Sequence, residues 1–376
     1  LQVFIVRGLG ASAAFLLTLV VTNSATSHDS GLFLFCLAIV NVIATIVLFG
    51  APQAIIRIVG SYNDTNWLKI NDNVSYIIKT VVVLCFCVCC LFFVFADFIS
   101  VAIFNIKELS TLLGLIGGAV FLFAGVQLFS SALQGKQASI MASCVQNLIM
   151  PLSFILLLAI SHFSIGSITA HSLLILYVIS LLVAFIVGGV YWYRDARAKI
   201  FFNLNFPREL RNSLYPLFIV SCMSLCVQWA GQFATARYLE PSQVAYFATA
   251  QRTALLAGFV LIAVNVVVAP KFAHAFAKGL KSEVSRLSLM SSRLMVAMAS
   301  PVLILMLLFP EFLMGLFGEE YVVAAPLLQI MAVGQFINVI TGSVGYLLTM
   351  TNHEKDFRNV VLFSGPLAIA LAFVLT

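Results

Sequence analysis

The chain reads as an all-α polytopic membrane protein, built as two six-helix lobes related by an axis along the membrane normal. Composition, run length and an internal repeat carry that reading. Of the 376 residues, 62% are hydrophobic and only 9% are charged, against roughly 25% charge in soluble domains. Mean hydropathy is +1.09. A soluble fold cannot hide that much apolar surface, because most of its exterior must be wetted. Nucleic-acid readers, secreted disulfide scaffolds and cytosolic enzymes are excluded on the same ground.

A spanning helix needs about 20 mostly apolar residues, and eleven such runs follow one another. The first, 3–22, shows no small-residue cleavage site and is followed by ten more such runs, so a span is expected there and not a signal peptide. The second, 31–56, carries Asn41 and Thr45. The third, 76–101, holds Cys85, Cys87, Cys89 and Cys90 among Val, Leu and Phe, with no His or acid nearby. With Cys36, Cys144, Cys222 and Cys226 these read as thiols inside apolar helices, so no metal or cofactor is expected. The fourth run, 111–133, leads Gln127, Ser131 and Gln134 along one face, and the fifth, 140–160, does so with Ser139, Ser143, Gln146 and Ser153.

The sixth run, 172–193, leads into the basic connection 194–213, RDARAKIFFNLNFPRELRNS. That segment reads either as an amphipathic helix lying in the interface or as a solvated hinge. In the seventh, 214–236, Ser221, Ser224, Gln228, Gln232 and Thr235 fall within an arc of about 80° at helical spacing. The eighth, 244–269, contains Thr249 and Arg252, and the ninth is 287–309. The tenth, 322–350, shows Gln335, Asn338, Gly342 and Thr349, and the eleventh, 359–376, runs to the last residue.

Charge placement sets the expected orientation. With the N-terminus in the cytoplasm, 17 of the 20 basic residues fall on the cytoplasmic side, Lys107 and Arg237 fall outside, and Arg252 sits within a span. Cytoplasmic loops carry such an excess of Lys and Arg, so an N-in protein of the inner cell membrane is expected. A repeat reinforces the architecture. FADFI at 95–99 and FPEFL at 309–313 lie 214 residues apart, Phe33 and Phe247 share that spacing, and Asp97 matches Glu311. Six spans separate the copies, so the second returns in the same orientation. The expected division is an N-lobe at 1–193, a cytoplasmic linker at 194–213 and a C-lobe at 214–376, the last short of its sixth helix. The reading frame is therefore expected to continue past Thr376.

Three segments carry a resemblance to a known family. DSGLFLFCLAIVNVIATIVLFGAPQAIIRIVGSY contains Gly31, Gly50 and Arg57 at matching positions, and YLEPSQVAYFATAQRTALLAGFVLIAVNVVVAPKFAHAF repeats the pattern up to a helix end at Pro270. LFGEEYVVAAPLLQIMAVG supplies Phe317, Gly318, Tyr321 and Ala324. Together these resemble the Wzx-type polysaccharide (O-antigen) flippases, within the multidrug/oligosaccharidyl-lipid/polysaccharide exporter superfamily. The resemblance covers essentially the whole chain, and its motifs are diffuse. It implies transport of an undecaprenyl-pyrophosphate oligosaccharide for lipopolysaccharide or related glycan synthesis, beside glycan polymerase machinery, with no nucleic-acid partner.

Polar groups are costly inside hydrocarbon, so their faces mark candidate sites. The expected substrate cavity draws on Arg252, Gln228, Gln232, Ser224, Thr249, Asn41, Gln127, Gln146, Gln335 and Asn338, with Arg57 and Arg237 at its mouths. Helix–helix hydrogen bonding is the alternative use of such stripes. Arg252 lies roughly 12 Å into its span at 1.5 Å per residue, and the sequence places no acid at similar depth. A cavity cation for pyrophosphate is one reading and carbonyl bonding within the bundle is the other. The five histidines form no metal spacing, and no nucleophile–base arrangement is found. A cation-coupled multidrug exporter is the second functional reading, against which stands the lack of a carboxylate at depth. A membrane glycan polymerase or ligase is the third, disfavoured by outer loops that are all short.

Overall fold

The computed structural model describes residues 2–61, 67–136, 138–162, 168–196, 223, 225–350 and 354–375. Described residues are helical almost throughout, and the one extended pairing among them is an isolated bridge between Ala25 and Ile168. Nine of the helices among the described residues are long and apolar enough to cross a membrane, and a shorter apolar stretch follows at Asn359–Val374. The expectation of an all-α polytopic membrane protein holds. The seventh expected span lies partly outside the described residues, as do most of the 194–213 connection and Ser224.

Two compact units make up the chain, Leu1–Val244 with Ala372–Thr376, and Ala245–Leu371. In the first, α1 (Gln2–Ser24), α2 (Ser27–Leu48) and α3 (Ala51–Ser61) precede α4 (Trp67–Val94). A π-helical turn at Phe98–Ile103 then leads to α5 (Leu109–Gly135), α6 (Ser139–Asn147), α7 (Ile149–His162), α8 (Ala170–Ala196) and α9 (residues 225–238). α2 is the central element: every residue from Ser30 to Val40 is buried, as expected of a helix apolar on all sides. It packs on α4, α5 and α8. Among its described side chains α4 buries the apolar stripe Val74, Ile77, Val81, Cys85 and Phe92 together with Ser75, while Val83, Phe86, Phe93 and Val94 are exposed. In a bilayer that outer face meets lipid.

One carboxylate ties two helix starts together. Asp29 Oδ2 accepts from the Thr26 hydroxyl at 2.8 Å, and Thr26 Oγ1 in turn accepts the Asp29 N–H at 3.1 Å. Thr26 is thus the N-cap of α2, its hydroxyl oxygen satisfying a backbone donor of the first turn while Asp29 holds that hydroxyl in place. Asp29 Oδ1 accepts the Ala170 N–H at 2.8 Å, so the same side chain serves the first turn of α8. Beside it His28 pairs with Glu108 at 3.4 Å, just before α5.

Four runs that read as single spans are broken. The 31–56 run stops at Phe49 (φ 47°) and Gly50 (φ 75°), and Pro52 then starts α3 in a first turn where its missing N–H costs nothing. Within 140–160, Pro151 removes one helical hydrogen bond and crowds the carbonyl of Asn147, which divides α6 from α7. Gly10 of α1 fills that bend: a Cβ there would lie 2.7 Å from Asn147 Cβ and 3.1 Å from its carbonyl oxygen. The 76–101 run ends its α-helix at Val94, before the π-helical turn.

The second unit continues α10 (Pro241–Ala277) and adds α11 (Lys281–Leu308), α12 (Pro310–Gly315), a 3-10 turn (Glu319–Ala324), α13 (Ala325–Thr341), α14 (Val344–Met350) and α15 (Glu354–Leu375). α10 runs on past Pro270, where a helix end was expected. The 322–350 run divides at Gly342, whose φ is 64° and whose backbone lies against Ser292. α11 and α13 pack together, and Gln329 Nε2 donates to the Leu307 carbonyl at 2.9 Å. That carbonyl is one of those that a helix C-terminus leaves without a partner of its own.

Candidate functional site

The break between α2 and α3 opens a polar cavity of about 280 Å³ in the first unit. Arg7 of α1, Thr45 of α2, Gln127, Ser131 and Gln134 of α5, and Gln146 of α6 supply its polar lining. Leu48, Gly50, Pro52 and Ile56 form the apolar remainder. Gly50 earns its place by conformation, since a φ of 75° is reached freely only without a Cβ. Its neighbour Phe49 takes φ 47° despite its side chain, so the backbone is strained at the cavity edge.

Hydrogen bonds hold the amides in place. Gln146 Nε2 donates to Gln127 Oε1 at 2.8 Å, and Ser130 Oγ donates to the Ala142 carbonyl at 2.9 Å while lying 3.5 Å from Gln146 Oε1. Ser131 Oγ donates to the Gln127 carbonyl at 2.7 Å and Thr45 Oγ1 to the Asn41 carbonyl at 2.9 Å. Beneath them Val126, Leu133, Ala142, Val145 and Ala184 form a dry cluster. Arg7 is the one charged residue among the described lining residues, which include no carboxylate. Gln127 precedes the end of α5 by eight residues, so the cavity reaches about 12 Å along that helix. The cavity's described residues offer a cation, several amide donors and acceptors, and hydroxyls. An anion carrying hydroxyl groups satisfies all of them.

The structure brings some expected site residues together and scatters others. Gln127 and Gln146, from separate stripes, share the cavity. Asn41 stands one turn away on α2, with its amide donating to the Leu37 carbonyl at 2.7 Å. Gln232 is buried (1% exposed) and donates to the Leu34 carbonyl at 3.0 Å, a packing role in this conformation. Gln228, one turn earlier on α9, is exposed. In the second unit Thr249 is buried and Arg252 half-buried on α10. On α13 Asn338 Nδ2 donates to Gln335 Oε1 at 3.3 Å, and Gln335 approaches the backbone of Gly258. Ser224 and the Arg57 side chain lie outside the described residues. Arg237 is exposed at the turn into α10.

Sequence reasoning missed Arg7, which was counted only as a cytoplasmic anchor. Its signal was present: it lies inside the apolar run 3–22. Only the packing of α1 on α6 brings it beside the amides.

Comparison with known proteins fits this architecture. A family model described as polysaccharide biosynthesis protein matches residues 2–276, and the MatE family model matches 216–374. An uncharacterized membrane protein of Methanocaldococcus jannaschii is 24% identical over 379 residues, covering 95% of this chain and 73% of its own length. Among solved structures, the lipid II flippase MurJ in an inward closed conformation aligns with TM-score 0.72 and 12% identity, over 99% of this chain and 84% of that one. An inward-facing multidrug resistance MATE family transporter of the MOP superfamily aligns with TM-score 0.65 and 15% identity, again over 99% and 84%. At these identities the likeness is one of fold.

Proposed function

Since the chain belongs to the polysaccharide biosynthesis protein family, we propose that it is a flippase moving a lipid-linked oligosaccharide across the cell membrane by alternating access. The observation that carries this reading is the cavity whose described lining residues supply one guanidinium, amides and hydroxyls, with no carboxylate among them. A guanidinium binds phosphate oxygens through paired hydrogen bonds, while Gln127, Gln134 and Gln146 suit sugar hydroxyls. Arg7 lies in the first turns of the Ile5–Ser24 span, at the depth where a phosphate headgroup meets hydrocarbon. Arg252 of the second unit is the other proposed cation for an undecaprenyl-pyrophosphate group. The proposed lobes, 1–193 and 214–376, rock about the 194–213 connection with the N-terminus in the cytoplasm of the inner membrane. A glycan polymerase is the downstream partner in this reading. A cation-coupled drug exporter fits less well, because no carboxylate to pair with a cationic drug stands among the described lining residues.

The test is complementation of a flippase-null strain, with membrane abundance measured beside surface glycan. Arg7→Ala and Arg7→Glu are expected to lower export at least about tenfold, the worth of one charge-assisted hydrogen bond, and Arg7→Lys to retain part of it. Arg252→Ala is expected to behave as Arg7→Ala does. Wild-type export by well-expressed Arg7→Ala and Arg252→Ala proteins overturns the assignment. Arg7-dependent efflux of a cationic dye, without glycan export, favours the drug reading.

A further inference from the structure

At the end of the first unit remote from the Arg7 cavity lies a second polar hollow, of about 440 Å³. Residues 104–106, 237–241 and 243 line it, the first set just after the π-helical turn and the others where α9 ends and α10 begins. The first segment precedes α5, whereas Gln134 of the Arg7 cavity stands in its last turn. α5 has 27 residues, or about 40 Å at 1.5 Å per residue. The two hollows therefore serve opposite ends of the bundle.

Phe104 contributes an apolar wall held by its neighbours. Its ring centroid is 5.0 Å from Phe35 and 6.0 Å from Phe233. Asn105 follows in the left-handed region at φ 56°, a conformation its short amide tolerates. Arg237, Tyr238, Glu240 and Gln243 stand exposed on the other side. Tyr238 lies edge-on to Phe373, 6.4 Å between centroids, which limits its ring orientation. The Glu240 backbone N–H donates to Gln243 Oε1 at 3.3 Å, the return half of a capping box at the start of α10. That bond fixes the Gln243 amide and leaves its NH₂ group available to donate.

The chemistry of this hollow differs from that of the Arg7 cavity. Arg237 and Glu240 bring opposite charges to one rim, so a phosphate there meets repulsion as well as attraction. Guanidinium, carboxylate and carboxamide groups instead present paired, in-plane donors and acceptors. Neighbouring hydroxyls of a sugar match such pairs, and the C–H face of a sugar ring lies well on an aromatic wall. The volume falls within the ~300–1,000 Å³ of small-molecule sites. We infer that this hollow is a saccharide subsite that binds an uncharged sugar unit of the carried glycan at the end of the bundle opposite Arg7. The inference rests on the flippase reading for its ligand, and it adds where the glycan, as distinct from its phosphate, is held.

Saturation-transfer NMR on the whole chain in nanodiscs tests it, with a panel of free neutral monosaccharides as probes. Transfer to ring protons of at least one sugar is expected, unchanged by excess inorganic phosphate. Tyr238→Ala should weaken the signal roughly fivefold, the scale of one aromatic contact, and Glu240→Ala should weaken it too. Both residues are exposed, so these variants should keep the wild-type melting temperature. Arg7→Ala should leave the signal intact while lowering export at least about tenfold, which separates this site from the flippase assignment. No transfer from any sugar, displacement by phosphate, or equal signals from wild type and Tyr238→Ala would each overturn the subsite. Intact sugar binding by a wild-type protein that exports no glycan sinks the flippase reading alone.

Discussion

At the scale of single residues, the chain places its few polar groups where backbone demands them or where two helices meet. Asp29 serves the starts of both α2 and α8. Asp29→Ala is expected to destabilise the protein by about 1–2 kcal/mol, the worth of lost capping bonds, seen as a lower melting temperature in detergent. Asp29→Asn should fall between, because it keeps only one oxygen. The family-like motif residues have local explanations of the same kind. Gly318 adopts φ 126° and ψ 153°, a region open to glycine alone, and its neighbours Phe317 and Tyr321 are buried against one another at 6.4 Å. Gln127 and Gln146 were legible as members of polar faces. Their mutual hydrogen bond was not, because spacing within one helix carries no information about the next.

At the scale of elements, apolar runs located the helices well but not their breaks. Pro151 was a visible signal for the α6–α7 bend, whereas the turn at Phe49 gives almost none, since an aromatic residue at positive φ runs against propensity. The bend at Asn147 makes a strong demand on α1. Gly10→Ala should push α1 off α6 and cost about 1–3 kcal/mol by overpacking, whereas Gly118→Ala, whose Cβ would meet nothing within 4 Å, should be neutral or slightly stabilising. Thermal unfolding of the two variants in one detergent compares them directly. Equal melting temperatures would mean that α1 yields at the bend. The FADFI and FPEFL segments each follow the end of a long helix: after Val94 a π-helical turn precedes the next long helix, and after Leu308 the short α12 and a 3-10 turn do.

At the scale of the whole molecule, the chain condenses into two compact units, and the division falls within α10. The lobes expected at 1–193 and 214–376 remain a proposal, and so does the orientation. The basic-residue bias predicts that Cys at Lys107 reacts with an impermeant maleimide in intact cells, while Cys at Lys136 reacts only after permeabilisation. Native cysteines must be replaced first, because Cys87, Cys90 and Cys226 are exposed. Labelling in the reverse order would invert the topology and put Arg7 at the outer face.

The sequence alone determined the solvent and the class. A chain with so little charge and so much apolar length must lie in lipid, and in lipid its backbone must close hydrogen bonds within helices. It determined the polar faces too, since they follow from helical period. Which faces meet was decided only by tertiary packing. Gln232 turned inward to a backbone carbonyl, Gln127 and Gln146 joined across two helices, and Arg7 passed from anchor to cavity wall. These outcomes depend on glycines that admit close approach and on bends that re-aim a helix end. They are contacts between different helices, 19 positions apart for Gln127 and Gln146 and 198 for Gln232 and Leu34, and the period of one helix encodes nothing about its neighbour.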